Sequence, residues 1–321
     1  LGDPAIKSWD DGLESKLSNN IADGLSELGI MLPSSAIHYL LFHGLLNDPQ
    51  GTQWLDTKND LVLIATSANT QGEPLIIDDS AALEELSRIA DVRVSYNREI
   101  LTRADESVMR VLDGAPYFIR RARGFTPRSI KLAKKTMPGI ALGGLLKNTI
   151  CVTRDHEAFV SQYLGDMDNP SAIEFFHETL DYFLNVLKVK PEFIAHDLHP
   201  DFYTTQFAQR LGIPAIGVQH HHAHLASVAA EHQMQERALG CALDGYGYGA
   251  NGESWGGELM LLEGAQYQHL SSLKTLPQPG GDIAAREPWR MAAGLLHALN
   301  KVDEIEKRFG ESNALLKLLN S

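Results

Sequence analysis

The run VQHHHAH, Val218 to His224, carries two imidazoles four residues apart, His220 and His224. On a helix, positions i and i+4 share a face, so a helix starting here lets both rings reach one metal ion. Twenty residues after His224 comes DGYGYGANGESWGGEL, which opens on a carboxylate, Asp244. Its glycines supply a flexible backbone that can approach a phosphate closely. The histidines follow an apolar run, IPAIGVQ, deep inside the chain, so they are not a purification tag. The spacing alone is a weak signal, because a polar helix start with surface histidines shares it. The acid and the glycines that follow are what favour a metal site. His221 and His222 have two readings: they orient the ligands or touch substrate, or they pack and hydrate like ordinary histidines.

A second set of residues suits an anion. ATSANTQGEP, Ala65 to Pro74, puts Ser67 and Asn69 at the exit of an apolar run. Their side chains and nearby amides could hold a phosphate or carboxylate, and a plain polar turn accounts for them equally. TRADESVMR adds Arg103, Asp105, Ser107 and Arg110, and FIRRARG adds Arg120, Arg121 and Arg123. From Arg110 to Lys135 eight basic residues stand against one acid, Asp113. That stretch is either a phosphate-facing edge or a solvated linker between domains. No Walker A or Rossmann glycine pattern occurs, which argues against those nucleotide folds. His199, in DLHP, stands at another predicted strand end and suits either a substrate pocket or a structural hydrogen bond. Trp255 and Trp289 read as core or turn anchors.

These groups need a scaffold. The chain has 321 residues, 44% hydrophobic and 21% charged, a globular composition whose length favours two domains. Its net charge of -13 argues against general nucleic-acid binding. No run of 18 apolar residues suggests a membrane span, and LGDPAIKSWDDG has no signal-peptide pattern. The first residue is Leu1, so the chain reads as excised from something longer. Cys151 and Cys241 lie in apolar strand-like runs and read as reduced core residues of a cytoplasmic protein.

Hydrophobic periodicity predicts an α/β chain. Residues 13–46 read as a helix, a strand at GIMLP and a helix through AIHYLLFHGLL. LVLIAT is a buried strand, DDSAALEELSRIA a capped helix, and VRVSYN and PYFIRR are strands. After RGFTPRSIKLAKKTMPG the pattern restarts with three strands, IALGGLL, NTICVTR and AFVSQYL, the last two joined by a turn at Asp155–Glu157. A helix from Ala172 to Val189 follows, with Phe175, Leu180, Phe183, Leu184 and Leu187 near one face. Strand FIAHDL, helix DFYTTQFAQRLG, strand AIGV and the histidine helix complete the series. Antiparallel strands followed by alternating helix and strand are the order of one lobe of the ribonuclease-H-like sugar-kinase/actin fold. Ligands in such sheets sit at the carboxyl ends of strands, where His220 and His224 are placed.

The pieces GIMLP, ATSANTQGEP, TRADESVMR, IRRARGFTPR, GGLLKNT, SQYLGDMDN, AHDLHPDFYTT, VQHHHAH, DGYGYGANGESWGGEL and PGGDIAAREPWRMA run through nearly the whole chain. Together they resemble the HypF family of carbamoyltransferases of [NiFe]-hydrogenase maturation. VQHHHAH with DGYGYG and WGGE is the specific part. The resemblance implies the later part of a YrdC-like domain over residues 1–124. It implies a TsaD-like domain over 125–321, represented by its first lobe, with both domains incomplete. It implies ATP with Mg²⁺, carbamoyl phosphate as carbamoyl source, a carbamoyl-adenylate, and transfer to the C-terminal cysteine of a HypE-type partner for the cyanide ligands of the hydrogenase iron.

By the same resemblance His220, His224 and Asp244 are metal ligands, with a further acid expected beyond Ser321. Two histidines with a carboxylate suit zinc, iron or manganese. Ser67 and Asn69 match the adenylate-domain SxN, and Arg103, Arg120, Arg121 and Arg123 join them at a nucleotide. Lys147, Asn148, Gly245, Gly247 and Gly249 are expected to face a second nucleotide. No nucleophilic cysteine is needed in this chain, because the partner supplies it, and the catalytic residues are not assigned. The chain departs from the family pattern at Ser34, Ser35 and Ala36, at Gly144 and Leu145 where an Ala–Glu pair is common, and at Ala250 and Asn251 where acids are common. Without its flanks the fragment is expected to be inactive. Two alternatives are a small-molecule O-carbamoyltransferase and a non-catalytic fragment that binds a partner or RNA.

Overall fold

The computed structural model describes residues 18–310 and residue 319. They fall into two units, divided between Ser67 and Ala68. The first holds helix α1, Ala36–Leu45, between two single-turn 3-10 helices, Asn19–Ala22 and Gln53–Asp56. The helix predicted from residue 13 is represented there by the first of these turns, and residues 13–17 lie outside the described residues. GIMLP and LVLIAT, predicted as strands, are irregular, and Leu61, Val62, Leu63 and Ile64 are exposed. A strand forms only where a neighbour takes its N–H and C=O groups, and no described residue pairs with either segment.

In the second unit, helix α2, Asp79–Leu86, starts where Asp78 accepts the N–H groups of Ser80 and Ala81. VRVSYN forms no strand, and Val92 and Val94 are exposed. PYFIRR becomes β2, Ala115–Arg120, paired with β1, Val108–Leu112, which the sequence pattern did not reveal.

The main sheet has four strands: β3, Ile130–Leu142; β4, Ile150–Val160; β5, Phe193–Asp197; and β6, Ala215–Val218, in the order β4-β3-β5-β6. β3 and β4 are antiparallel, whereas β5 runs parallel to β3 and β6 parallel to β5. β3 begins well inside the basic stretch, whose Lys131 and Lys135 pair with Glu157 at 2.7 Å and Asp155 at 3.1 Å. β4 folds back on itself. The Ser161 N–H reaches the Ile150 carbonyl at 2.8 Å, whereas a straight strand of that length would hold them ~35 Å apart. Asp155, with φ of 52°, lies at the turn, so the two predicted strands NTICVTR and AFVSQYL are the arms of this hairpin.

Helix α3, Pro170–Leu187, lies over the sheet. Asn169 caps it by accepting from Ser171 and Ala172, and Lys188 ends it in the left-handed region. Its buried face is Ala172, Phe175, Phe176, Thr179, Leu180, Phe183 and Leu187, a helical period. These residues pack on Ile140, Ile150, Val152 and Ile194. Burial of each large apolar side chain stabilises by ~1.5–3 kcal/mol, so this layer holds the strand ends in place. Helix α4, Tyr203–Arg210, connects β5 to β6, and α5, His220–Glu231, follows β6 directly.

A second sheet then forms from β7, Ala238–Tyr248; β8, Ser254–Glu263; and β9, Gln266–Ser272, an antiparallel meander. The described residues after 124 therefore hold two sheets. The glycine-rich stretch is the end of β7 and the start of β8. Helices α6, Asp282–Arg286; α7, Trp289–Ala298; and α8, Val302–Phe309, follow. Helix α5 packs on β7 and β8 and also touches β3, so the histidines lie between the two sheets. Among the described residues no helix is long and apolar enough to cross a membrane.

Candidate metal centre

Helix α5 starts at His220 itself. The Gln219 side chain caps it by accepting the His222 N–H at 2.8 Å. The helical period puts His220 and His224 on one face, with ring centroids 4.7 Å apart. Their Nε2 atoms lie 3.2 Å apart. The Asp244 Oδ2 closes the triangle, 3.1 Å from the His220 Nε2 and 3.6 Å from the His224 Nε2.

Asp244 arrives through a bulge. Leu243 pairs with Gly257 and Gly247 with Trp255, so Asp244, Gly245 and Tyr246 stand opposite Gly256 alone. Extra residues on one strand re-aim side chains. Gly256 permits the fold-over, since a Cβ there would come within 3.3 Å of the Asp244 carbonyl oxygen. Glu258 secures this stretch by accepting the Gly256 N–H at 2.9 Å, His269 at 2.6 Å and the Ser272 hydroxyl at 2.6 Å.

The donor set fits a cation. Ligand atoms ~2.1 Å from a tetrahedral ion stand ~3.4 Å from each other, and the three atoms here are spaced 3.1 to 3.6 Å. Imidazole nitrogen with carboxylate oxygen is also the donor chemistry of zinc, iron and manganese sites.

Asp197, at the carboxyl end of β5, is a functional residue that the sequence motifs did not single out. Its Oδ2 lies 2.7 Å from the His220 Nδ1, and its Oδ1 accepts the His199 N–H at 2.9 Å. The hydrogen bond to Asp197 raises the His220 pKa against the opposing effect of burial. For Asp197 burial pushes upward, but the hydrogen bonds from His220 and His199 win and its pKa is lowered. The signal was available: an acid ends a predicted strand of the sheet whose next strand leads into the histidines.

His221 and His222 do not share the triangle. Both are buried, and burial lowers both pKa values. His221 lies against Gln219 and Trp255, and His222 against Tyr267. His199 stacks flat on Phe202 at 4.2 Å and meets Tyr248 at 5.0 Å, an aromatic wall beside Asp197.

The nucleotide candidates stand on several elements. Lys147 is exposed at a left-handed corner of the β3–β4 loop, its N–H bound to Asp166. Asn148 is buried and donates to the Gly144 carbonyl at 2.7 Å. Gly144 belongs to the metal neighbourhood, because a Cβ there would lie 3.7 Å from the Asp197 Oδ2 and 3.9 Å from the His220 Cε1. A Cβ on Gly247 would strike His221, and one on Gly249 would strike Glu253 and Trp255, whereas Gly245 faces open space.

Ser67 ends the first unit and is exposed. The Asn69 amide closes its own turn onto the Glu73 carbonyl at 2.7 Å. Arg103 and Arg123 line one cleft of about 300 Å³ with Glu99 and Glu178. Arg103 bonds the Leu75 carbonyl and Glu178, and Arg123 pairs with Glu106 and the Ala104 carbonyl. Arg120 pairs with Asp105, and Arg121 donates to the Val160, Phe125 and Arg128 carbonyls. None of the metal-centre residues lines this cleft.

Three family models match consecutive parts of the chain. A Sua5/YciO/YrdC model, described as telomere recombination, matches residues 10–122. A model described as the HypF Kae1-like domain matches residues 134–231. One described as a carbamoyltransferase Kae1-like domain, second subdomain, matches residues 240–320, where β7–β9 lie. Carbamoyltransferase HypF2 of Cupriavidus necator is 51% identical over 297 residues, 90% of this chain and 37% of the relative. Carbamoyltransferase HypF of Rhizobium leguminosarum bv. viciae is 47% identical over 288 residues, with coverages of 90% and 37%. The chain thus spans 37% of the length of these curated relatives. Among solved structures, full-length HypF in a phosphate- and nucleotide-bound form matches with a TM-score of 0.81 and 38% identity, over 93% of this chain and 45% of that one. T. kodakarensis HypF matches with a TM-score of 0.70 and 35% identity, over 79% of this chain and 35% of that one.

Proposed function

The chain belongs to the HypF carbamoyltransferase family, and from that premise we propose that it supplies the metal-centred part of an ATP-dependent carbamoyl transfer. Carbamoyl phosphate is the carbamoyl source: its hydrolysis gives carbamate and phosphate, ATP with Mg²⁺ converts the carbamate to carbamoyl-adenylate with release of pyrophosphate, and the C-terminal cysteine of a HypE-type partner accepts the carbamoyl group. The product serves the cyanide ligands of the hydrogenase iron. The observation that carries this reading is the convergence of His220, His224 and Asp244 between the two sheets.

The chemistry explains the arrangement. Carbamate itself is a poor acyl donor, and AMP is a far better leaving group than hydroxide. Attack by the partner's thiolate forms a carbon–sulfur bond and breaks the bond to the adenylate oxygen, and AMP departs with the electron pair. His220, His224 and Asp244 would hold a divalent ion, zinc or iron, which when bound supplies Lewis-acid polarisation of carbonyl or phosphate oxygens. Asp197 keeps the His220 Nδ1 engaged, so that Nε2 faces the other two donors. Gly144 lies beside His220, and Lys147, three residues on, is exposed. The glycine at 144 leaves room for a ligand to approach.

The test is direct. A protein containing this chain is incubated with carbamoyl phosphate, ATP, Mg²⁺ and a cysteine-terminated peptide of HypE type, and the peptide is weighed by mass spectrometry. A mass increase of one carbamoyl group, lost in His220→Ala, is the expected result. Equal modification by wild type and His220→Ala sinks the reading.

A further inference from the structure

The His220 Nε2 faces the His224 Nε2 and the Asp244 Oδ2, and the rest of the ring is held from other sides. The Asp197 Oδ2 meets Nδ1 at 2.7 Å. Gly144 approaches Cε1, where a Cβ would be 3.9 Å away, and Gly247 approaches Cδ2, where a Cβ would be 3.2 Å away. The same Cβ on Gly247 would lie 2.4 Å from the His221 Cε1, closer than real contacts allow. His221 is fully buried and cannot swing into solvent, so the addition would have to displace α5 or β7.

We infer that Asp197 and Gly247 are positioning residues of the metal centre, fixing the His220 imidazole so that its Nε2 lone pair faces His224 and Asp244. This rests on the metal reading above. Asp197 acts through charge and tautomer. Its Oδ1 is committed to the His199 N–H, so Oδ2 is left to accept the proton on the His220 Nδ1. A neutral imidazole with its proton on Nδ1 has its lone pair on Nε2, and an outer carboxylate also raises the basicity of the ligand nitrogen. Asp197 is itself buried, and its own carbonyl accepts the Thr205 hydroxyl at 3.0 Å, which holds the strand end firm. Gly247 acts through space. It lets β7 lie directly on the two imidazoles, and that approach brings Asp244, three residues earlier, within 3.1 Å of His220.

The family resemblance implies a different role for Gly247, contact with a nucleotide. In the structure, the side on which its side chain would project is filled by His220 and His221.

The experiment measures Zn²⁺ affinity by chelator competition and the visible absorption of bound Co²⁺, in wild type, Asp197→Asn, Gly247→Ala and the control Leu243→Ala. Leu243 is an exposed side chain of the same strand. Asp197→Asn and Gly247→Ala should each weaken Zn²⁺ binding ~10–100-fold, the usual consequence of losing outer support of a ligand, while Leu243→Ala binds as wild type. The Co²⁺ bands should shift in the two positioning variants and stay put in the control. Long-range ¹H–¹⁵N spectra of the metal-free protein should show His220 protonated on Nδ1 in wild type and as mixed tautomers in Asp197→Asn, which a purely structural role would not produce. Asp197→Asn preserves shape, so it carries the test even where Gly247→Ala fails to fold. Wild-type affinity and spectra in Asp197→Asn overturn the inference. A wild-type protein that binds neither ion overturns the metal reading and takes the inference with it.

Discussion

The histidine centre and the arginine-rich segment put the same resource, nitrogen donors on polar side chains, to different ends. Around Arg120, Arg121 and Arg123 the guanidinium groups are met by the chain's own oxygens. Arg121 alone holds three carbonyls, at 3.2, 2.7 and 2.8 Å. Those bonds join the β1–β2 hairpin and the turn after it to the β4 hairpin. Burial even pushes the Arg121 pKa down. At the other region the His220 and His224 nitrogens and the Asp244 oxygen face one another instead. Two imidazole nitrogens at 3.2 Å can share one proton at most, so the set is best satisfied by a cation. The contrast teaches that polar residues already answered by backbone carbonyls build the fold. A site declares itself where donors converge on a common point. A phosphate at the cleft of Arg103 and Arg123 would compete with Glu178 and Glu106 for the same donors.

The sharpest way to break this comparison is to remove a donor. His220→Ala should lower metal affinity by more than the ~100-fold upper range of an outer-sphere loss, and His222→Ala should change it far less, as elemental analysis after dialysis will show. Equal metal content in both variants would falsify the assignment. Next in size is Arg121→Ala. Losing hydrogen bonds from a charged donor to three carbonyls should destabilise by ~2–3 kcal/mol while metal affinity stays unchanged. Urea unfolding monitored alongside Zn²⁺ titration separates the two, and a parallel loss of both would merge regions held here to be independent.

A third prediction uses acid. Lys131, Ser129 and Arg154 hold the Glu157 carboxyl down to about 2 from its ordinary 4.5. A lowered carboxylate pKa gives stability that is present above the ordinary value and lost as pH falls toward the folded one. The β3–β4 hairpin should therefore loosen between those two pH values, and Glu157→Gln should remove that dependence. Thermal midpoints across this range check it, and an unchanged pH slope in the variant counts against it. The smallest effect is chemical. Cys151 lies near the Arg121 charge, and burial pushes its thiol up to about 11, whereas Cys241 is exposed. Iodoacetamide near neutral pH should label Cys241 first and Cys151 only on unfolding. Early labelling of Cys151 would show that the arginine joint is open.

Several features are legible in local chemistry alone. The helix at His220 follows from an apolar strand, a capping side chain and the i, i+4 rule. The cap at Asp78 and the amphipathic face of α3 are equally local. What the sequence could not decide depended on partners distant in the chain. LVLIAT has the composition of a buried strand, yet an extended segment becomes a strand only if another takes its hydrogen bonds, and composition says nothing about that. The glycine-rich run reads as a flexible backbone, and only pairing with β8 makes it a bulged strand that aims Asp244 at the histidines.

The division between the two kinds of knowledge falls along distance in the chain. Residue types and short spacings determined which groups could bind a metal, because helical periodicity acts over a single turn. Tertiary structure alone decided that Asp197, 23 residues before His220, orients that ring. It alone made Gly247 a seat for imidazoles and turned the arginines onto carbonyls. Each of these depends on which strands lie side by side, and that is settled by burying α3 and its neighbours in one core.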